Sequence, residues 1–324
     1  MKRLIYIDNL RGFLILLVVL GHCLQDTGGG GKENLLLRVI YSFHIPLFMA
    51  VSGYVCYKPR LEWHKLARRA KQLLVPFLMW ALITCALVGD AKYYWEIIKY
   101  PDRGLWFLYA LFFITLLLTC CDWLSRKLEI PLEVVSLTVA LVSSAIVLVF
   151  GFKLFGFQLI SYHFVFYCAG FFAHKYQIPE IMHKYIALPL MVIFIVMTFG
   201  SGLSVIPKIL GLQNNAAAVN VLDDLYQYAV GLISIPVGLY VFRNVRWIAK
   251  KGFLTWFGKE TLALYAINLT FIVSIVHLMN LLMNDWAYFI KVILLFFFML
   301  CFSVGLDWLL KKNKVTSILF LGKK

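Results

Sequence analysis

The sequence predicts an all-α membrane protein, a polytopic bundle of about ten transmembrane helices that forms a single domain over residues 1–324. Its mean hydropathy is +0.84, 62% of its residues are hydrophobic and only 15% are charged. In soluble domains about a quarter of the residues are charged, so this chain requires lipid as its solvent. Its apolar residues also form long runs, and about 20 such residues cross the hydrocarbon core as a helix, because lipid offers no partners to unpaired backbone groups.

Each apolar run is predicted to be one membrane span. The run at residues 157–173 is the least regular, because His163 and Gly170 interrupt it. Its loss would reverse the orientation of everything that follows. The ten predicted spans are residues 5–24, 35–57, 72–89, 104–122, 132–150, 157–173, 185–206, 222–242, 260–283 and 287–310.

The basic residues predict the orientation of these spans. With ten spans, both termini and every second connecting segment share one side, and these segments hold most of the 31 Lys and Arg residues. Basic residues accumulate on the cytoplasmic side, so we expect both termini in the cytoplasm and the protein in the plasma or inner membrane. Asp8, Asn9 and Arg11 interrupt the first run, so we expect an uncleaved span. The net charge of +15 then indicates anionic membrane lipid as a partner, and no nucleic acid.

The first span contains Asp8, Arg11 and His22. Ionisable groups inside a membrane are costly and usually face a cavity or one another. Arg11 and His22 are eleven residues apart, which places them on one helix face, about 16 Å apart along the axis. Asp8 precedes Arg11 by one turn and can pair with it. The alternative for Arg11 is that its side chain only extends to the inner membrane interface. The alternative for His22 is that it only forms a hydrogen bond with a neighbouring carbonyl.

The second span contains His44 two residues before Pro46. Proline removes a backbone donor and can bend the outer half of this helix, near the end of the first helix. His22 and His44 are therefore expected to line one pocket in the outer half. The alternative is that His44 satisfies carbonyls that the proline leaves unpaired. Three further ionisable residues are candidates for packing or for lining a pore: His163, Lys291 and Asp307.

Residues 58–72 are predicted to form an amphipathic helix at the inner interface. Trp63, Leu66, Ala67 and Ala70 recur at helical spacing among basic side chains. Lipid headgroups are the default partner of these cations, and a dedicated phosphate site is the alternative. The cations are Lys65, Arg68, Arg69 and Lys71.

Five sequence elements together resemble the acyltransferase 3 family of membrane acyltransferases, which includes O-acetyltransferases of bacterial surface polysaccharides. The most specific is Arg11 followed by His22 after ten residues, and the resemblance runs through most of the chain. One departure is Asn268, where the family commonly carries a histidine. The elements are Asp8-x-Leu10-Arg11-Gly12 with His22, Phe43–Phe48 running to Ser52-Gly53-Tyr54, Arg69 through Leu74-Val75-Pro76 to Trp80, Leu105–Leu108 and Phe257–Tyr265.

The resemblance implies an enzyme that takes an acyl group, acetyl in the first instance, from cytoplasmic acyl-CoA. The acceptor would be a hydroxyl of a cell-envelope carbohydrate on the outer side. It implies that His22 is the catalytic imidazole and that Arg11 is its essential basic partner. Acyl-CoA would be a co-substrate, and the seven Cys residues show no spacing that indicates a metal.

The remaining candidate residues are assigned around that reaction. Asp8 and His44 are placed in the catalytic site with Arg11 and His22. The phosphates of CoA carry several negative charges, so we assign three basic residues of the inner segment to acyl-CoA: Arg68, Arg69 and Lys71. Two polar residues of the last spans are candidates for stabilising an oxyanion or for lining a pore: Asn268 and Lys291.

Two other functions compete with acyl transfer. In an exporter of polysaccharide or a proton-coupled transporter, Arg11, His22 and His44 would line a polar pathway. That function predicts an inverted repeat, and none is found in the sequence. In a purely structural partner of an envelope-synthesis complex, Arg11 and His22 would have no need to share a helix face.

Overall fold

A computed structural model describes residues 4–29, 34–199, 214, 216–283 and 287–323, and these residues form helices without a β-strand. A helix pairs its own backbone groups, which is the arrangement that lipid demands. The α-helices are α1 Ile5–Leu24, α2 Leu35–Cys56, α3 Trp63–Val88, α4 Lys92–Lys99, α5 Trp106–Leu128, α6 Leu132–Phe150, α7 Phe157–Lys175, α8 Ile178–Ile181, α9 Lys184–Phe199, α10 Ala216–Asn244, α11 Arg246–Ala249, α12 Phe253–Lys259, α13 Thr261–Leu282, α14 Tyr288–Lys312 and α15 Lys314–Leu321.

Within the described residues, nine helices are long and apolar enough to cross a membrane: α1, α2, α3, α5, α6, α7, α10, α13 and α14. The predicted fold class is therefore confirmed, and so is the irregular span at 157–173, which forms α7. The seventh predicted span, 185–206, is described only up to residue 199. That part is the 16-residue apolar helix α9, and residues 200–206 lie outside the described residues.

The amphipathic helix predicted over residues 58–72 is helical only from Trp63, and it is not a separate element. α3 begins at Trp63 and continues without a break into the third span, since no glycine or proline separates Trp63 from Val75. Residues 58–62 are not helical. Pro59 lies in this stretch, and the backbone N–H of Leu61 donates to the Asp122 carboxylate at 3.2 Å.

The contacts within the chain divide it into two compact units. Unit 1 comprises residues 1–57 and 169–259, and unit 2 comprises residues 58–168 and 260–324. The boundary at 168/169 falls within α7. A single domain over residues 1–324 stays a prediction.

Glycine allows the close approach of α1 and α12 in unit 1. A Cβ atom on Gly12 would collide with the backbone carbonyl of Leu254, and a Cβ atom on Gly258 would collide with the carbonyl of Asp8. Both glycines belong to the sequence elements quoted above. Their role in the structure is to let two helix backbones touch, which no larger residue permits.

Three contacts define how the helices of unit 2 pair. The indole N–H of Trp80 on α3 donates to the carbonyl of Phe320 on α15 at 2.9 Å. The rings of Phe271 and Phe302 lie 5.4 Å apart between α13 and α14. Lys311 of α14 lies 2.8 Å from the carboxylate of Glu260, directly before α13. α13 and α14 therefore pair as an antiparallel hairpin.

Candidate functional site

Arg11 and His22 lie on one uninterrupted helix, α1, with helical geometry from Ile5 to Leu24. The geometry predicted from their spacing therefore holds: one face, about 16 Å along the axis. Both side chains are half-buried, whereas most of α1 is buried in unit 1. Helix α1 thus carries a cation near its first turns and an imidazole near its last turn.

His44 is buried in α2, and its Nδ1 lies 2.7 Å from the carbonyl oxygen of Ile40. Because a carbonyl only accepts, Nδ1 carries the proton, and Nε2 of the neutral ring keeps a lone pair. Pro46 leaves the carbonyl of Ser42 unpaired, four residues earlier, and not that of Ile40. His44 therefore does not bond the carbonyl that the proline frees.

His22 and His44 lie at nearly the same depth in unit 1. The ring of Phe13 on α1 lies 5.5 Å from the ring of Phe242 on α10. Leu47 on α2 packs against Gly238, which lies four residues before Phe242 on α10. Counting 1.5 Å per residue from these contacts places the two histidines within about 3 Å along the helix axes.

Tyr41 joins the two histidine-bearing helices, and sequence reasoning missed it. Its ring lies 4.9 Å from the ring of His44, and its hydroxyl donates to the side-chain oxygen of Gln25 at 2.6 Å. Gly21 on α1 leaves the room that the ring occupies. Tyr41 precedes His44 by three residues, so helical spacing was the signal that it shares the face of His44.

Asn9 organises the other end of α1. Its amide nitrogen donates to the carbonyls of Ile248 at 2.5 Å and Lys250 at 2.8 Å. Its amide oxygen accepts from the hydroxyl of Thr255 at 2.5 Å. The segment 248–255 is therefore tied to the first turn of α1. Asn9 was not predicted as a site residue, although it lies inside the first sequence element.

Asp8 is buried beside Asn9, one turn before Arg11 on the same helix. A carboxylate in the first turn of a helix is favoured by the helix dipole, and a carboxylate and a guanidinium three residues apart lie next to each other. The position of Asp8 thus agrees with a role in holding Arg11.

Tyr54, from the second sequence element, is buried at the end of α2. Its hydroxyl lies 2.9 Å from the hydroxyl of Tyr6, and its carbonyl accepts from Nδ1 of His174 at 2.6 Å. The ring of His174 lies 4.4 Å from that of Tyr54 and 4.8 Å from that of Tyr57. The end of α2 is thereby fixed to α1 and α7 near the first turns of α1.

The residues assigned to acyl-CoA lie on α3, in unit 2. Arg68 and Lys71 are exposed, and Arg69 is half-buried. They occupy the first turns of a long helix rather than a separate surface helix. Asp8, Arg11, His22 and His44 belong to unit 1, so the two groups of predicted residues fall in different units.

Asn268 and Lys291 do not form one cluster. Asn268 lies in α13, fully buried, and Lys291 lies in the first turn of α14, half-buried. The contact of Phe271 with Phe302 fixes the pairing of these helices. It places Asn268 about 21 Å from the depth of Lys291. The two side chains therefore cannot act on the same oxyanion.

Glu260 is the centre of an ion-pair network at the start of α13. It pairs with Lys311 at 2.8 Å and with Lys323, and Lys311 also pairs with Asp307. Burial by itself raises the pKa of Glu260, but the hydrogen bonds and charges of the two lysines outweigh this effect. The pKa of Glu260 therefore lies below its ordinary value.

Two further sequence elements meet in unit 2. The backbone N–H of Phe107, at the start of α5, donates to the hydroxyl of Tyr265 at 3.3 Å, and their rings lie 5.8 Å apart. Trp106 stacks on His163 of α7 with ring centres 5.0 Å apart. The element Leu105–Leu108 thus anchors the start of α5 to α13 and α7, and His163 takes part in this packing.

Parts of the chain are similar to two nodulation proteins. The chain is 43% identical over 98 residues to nodulation protein NolL of Sinorhizobium fredii, covering 28% of this chain and 26% of that protein. It is 31% identical over 187 residues to nodulation protein NolL of Mesorhizobium japonicum, covering 51% and 46%. The matched parts are thus about a quarter and about half of these relatives. No solved structure matches the chain.

The family comparison covers far more of the chain than either relative does. The family described as "Acyltransferase domain" matches residues 4–308, which include most of both units and all five sequence elements. The sequence resemblance is therefore confirmed, and the chain belongs to the acyltransferase 3 family of membrane acyltransferases.

Proposed function

We propose that this protein is a membrane O-acyltransferase that moves an acyl group, acetyl in the first instance, from cytoplasmic acyl-CoA to a hydroxyl of a cell-envelope carbohydrate. The proposed location is the plasma or inner membrane, with both termini in the cytoplasm and the acceptor on the outer side. Acyl-CoA, the carbohydrate and the surrounding lipid are the proposed partners. The family supports acyl transfer, and the donor, the acceptor and the direction are part of the proposal.

The observation that carries the proposal is the similar depth of His22 and His44 on neighbouring helices. The two imidazoles lie at one depth in unit 1, on adjacent helices, with Tyr41 against His44. Nε2 of His44 keeps its lone pair, because Nδ1 is engaged by Ile40. An imidazole can accept a proton from a hydroxyl nucleophile, and this role is proposed for His22, with His44 beside it in the catalytic site.

In the proposed reaction the acceptor hydroxyl attacks the thioester carbonyl, and His22 removes the hydroxyl proton. The new C–O bond forms, the C–S bond breaks, and the leaving CoA thiolate takes the proton from His22. Alternatively, His22 first takes the acyl group and passes it to the hydroxyl in a second step. Asn268 and Lys291 are two separate candidates for stabilising the oxyanion, because their depths differ.

The positions of the basic residues support a donor site on the cytoplasmic side. CoA carries several phosphate charges and does not enter hydrocarbon freely. Arg68, Arg69 and Lys71 lie in the first turns of α3, and Arg11 lies in the first half of α1. With the termini inside, both groups of cations face the cytoplasmic half. Arg11, held by Asp8, is proposed to bind a phosphate or carbonyl of the donor.

The test is the transfer of a labelled acyl group from acyl-CoA to envelope glycan by purified protein, with mass spectrometry of the glycan. His22→Ala should abolish transfer while the protein still folds, because His22 lies near the end of α1 and is half-buried. The matched control is His277→Ala, an exposed histidine on α13, which should transfer normally. Near-normal turnover by a well-folded His22→Ala protein would refute the catalytic assignment.

A further inference from the structure

Three polar side chains of α13 and α14 are buried without the hydrogen bonds that they need. Asn268 and Ser303 are 0% exposed and Asp307 is 1% exposed. Both amide atoms of Asn268, the hydroxyl oxygen of Ser303 and Oδ1 of Asp307 have no hydrogen-bond partner among the described residues. A buried polar atom without a partner costs about 1–3 kcal/mol. These four atoms, with the hydroxyl oxygen of Thr270 on α13 as a fifth, indicate a missing polar ligand at this hairpin.

The pairing of α13 with α14 brings Asn268, Ser303 and Asp307 into one row along the hairpin, which is called the file. Phe271 faces Phe302, and Glu260 pairs with Lys311. Asn268 and Ser303 each lie on the Glu260 side of the aromatic contact, at depths that agree within about 3 Å. Asp307 follows Ser303 by one turn, in the direction of Lys311.

The file runs from the lysines at the start of α13 toward the middle of the hairpin. Asn268 lies eight residues from Glu260, which is about 12 Å along the axis. Gly322, next to Lys323, packs against the backbone of Gln72 on α3. Gln72 directly follows Lys71, so the basic first turns of α3 adjoin the lysine end of the file within unit 2.

We propose that this file binds the pantetheine arm of acyl-CoA, with the amide of Asn268 paired to one amide of the arm. The inference rests on the proposed function, because it assumes acyl-CoA as the donor. The arm is a thin chain that carries two secondary amides and a hydroxyl, and its length is similar to that of the file. Its phosphate end fits the cationic end of the file at Lys71, and its thiol end points toward the middle of the hairpin.

The unpaired atoms match the chemistry of this arm. The Asn268 side chain offers N–H donors and a carbonyl acceptor side by side, which can complement both polar groups of a secondary amide. The Ser303 hydroxyl can donate or accept, and Oδ1 of Asp307 can accept from the N–H or the hydroxyl of the arm. In this proposal Asn268 binds the donor through its arm and does not stabilise the oxyanion.

The experiment compares two ligands on the purified protein in detergent: CoA, and adenosine 3′-phosphate 5′-diphosphate, which keeps the phosphates and lacks the arm. In the wild-type protein CoA should bind more tightly than the nucleotide. Asn268→Leu should weaken CoA about tenfold, the loss of two hydrogen bonds, and leave the nucleotide affinity unchanged. In transfer assays KM for acyl-CoA should rise while kcat at saturation is kept.

Two further variants make the comparison specific. Asn280→Leu makes the same change on the same helix, twelve residues away at a half-buried site, and should leave both affinities unchanged. Ser303→Ala is a smaller change inside the file, and it should weaken CoA severalfold and not the nucleotide. It keeps the test decisive if Asn268→Leu does not fold.

The outcomes separate the two proposals. If Asn268→Leu and Ser303→Ala bind CoA as tightly as the wild type, or weaken both ligands equally, the arm site is refuted and acyl-CoA as donor stands. A fall in kcat at saturating acyl-CoA with unchanged KM would instead assign Asn268 to the oxyanion. If the wild type binds neither CoA nor the nucleotide, the donor itself is wrong and both proposals fail.

Discussion

At the scale of single residues, hydrogen bonds decide what the polar groups in the spans can do. His44 donates from Nδ1 to Ile40, so only Nε2 is left to accept a proton. His22 is half-buried near the end of α1. The spacing of Arg11 and His22 was predictable from the sequence, because both lie on one helix. The contact of Tyr41 with Gln25 was not, because Gln25 belongs to another element.

Arg11→Lys should lower acyl transfer by about tenfold or more. A lysine keeps the charge but offers no planar fork for a phosphate or carboxylate, and a hydrogen bond to a charged group contributes about 1.5–3 kcal/mol. The measurement is kcat/KM with acyl-CoA varied. Arg38→Lys, an exposed arginine on α2, serves as the matched control and should behave like the wild type. Equal rates for both variants would mean that Arg11 only reaches the membrane interface.

At the scale of helices, close backbone contact explains why two sequence elements contain glycine. Gly12 of α1 and Gly258 of α12 each lie against a backbone carbonyl of the other helix. Asn9 ties the same end of α1 to residues 248–255. These contacts position the helix that carries Arg11 and His22, although neither glycine has chemistry of its own.

Gly12→Ala should destabilise the protein by about 1–3 kcal/mol or more, since the new methyl group meets the carbonyl of Leu254, and backbone cannot move aside cheaply. Gly305→Ala is the matched control. Gly305 is also helical but has open space around its Cβ position, so alanine should be neutral or stabilising by helix propensity. Thermal unfolding in detergent measures both. A Gly12→Ala protein as stable as Gly305→Ala would contradict the close approach of α1 and α12.

Glu260→Gln should lower the unfolding temperature at neutral pH, because Lys311 and Lys323 lose a shared charged partner. The pKa of Glu260 is lowered in the folded protein. Its stabilisation is therefore complete above the ordinary carboxyl pKa and is lost as the pH falls through the lowered value. The difference between wild type and variant should shrink in acid.

The control for this prediction is Glu96→Gln, which removes an exposed partner of Arg103 in the same unit. Exposed ion pairs contribute little, so this change should hardly alter the unfolding temperature. A difference between wild type and Glu260→Gln that stays constant from neutral to acidic pH would show that Glu260 is not ionised in the folded protein.

At the scale of the whole molecule, the predicted catalytic residues and the predicted donor-binding cations fall in different compact units. The family match extends through both units. The reaction we propose uses both sides of the membrane: the charged head of the donor stays in the cytoplasm, and the acceptor is acylated outside. Arg11 and His22 cover about 16 Å of that path on a single helix.

Sealed vesicles of known orientation test this sidedness. Labelled acyl-CoA is supplied to the cytoplasmic face and acceptor to the opposite face. We expect transfer in this arrangement and none when the two substrates exchange sides, because CoA cannot cross the hydrocarbon. The His22→Ala protein is the control for transfer without the enzyme. Transfer only when both substrates share the cytoplasmic face would refute the outward direction.

The sequence by itself determined the lipid environment, most of the spans, the family and the Arg11–His22 stripe. Each of these depends on composition or on spacing within one helix, where position follows from a fixed rise and turn. The tertiary structure decided that α3 continues through the basic segment, that Asn9 anchors residues 248–255, and that Asn268 and Ser303 share one depth. Lipid contacts every face of an apolar helix equally well. The neighbours of a helix and its rotation about its axis are therefore set by packing between segments that are distant in the chain.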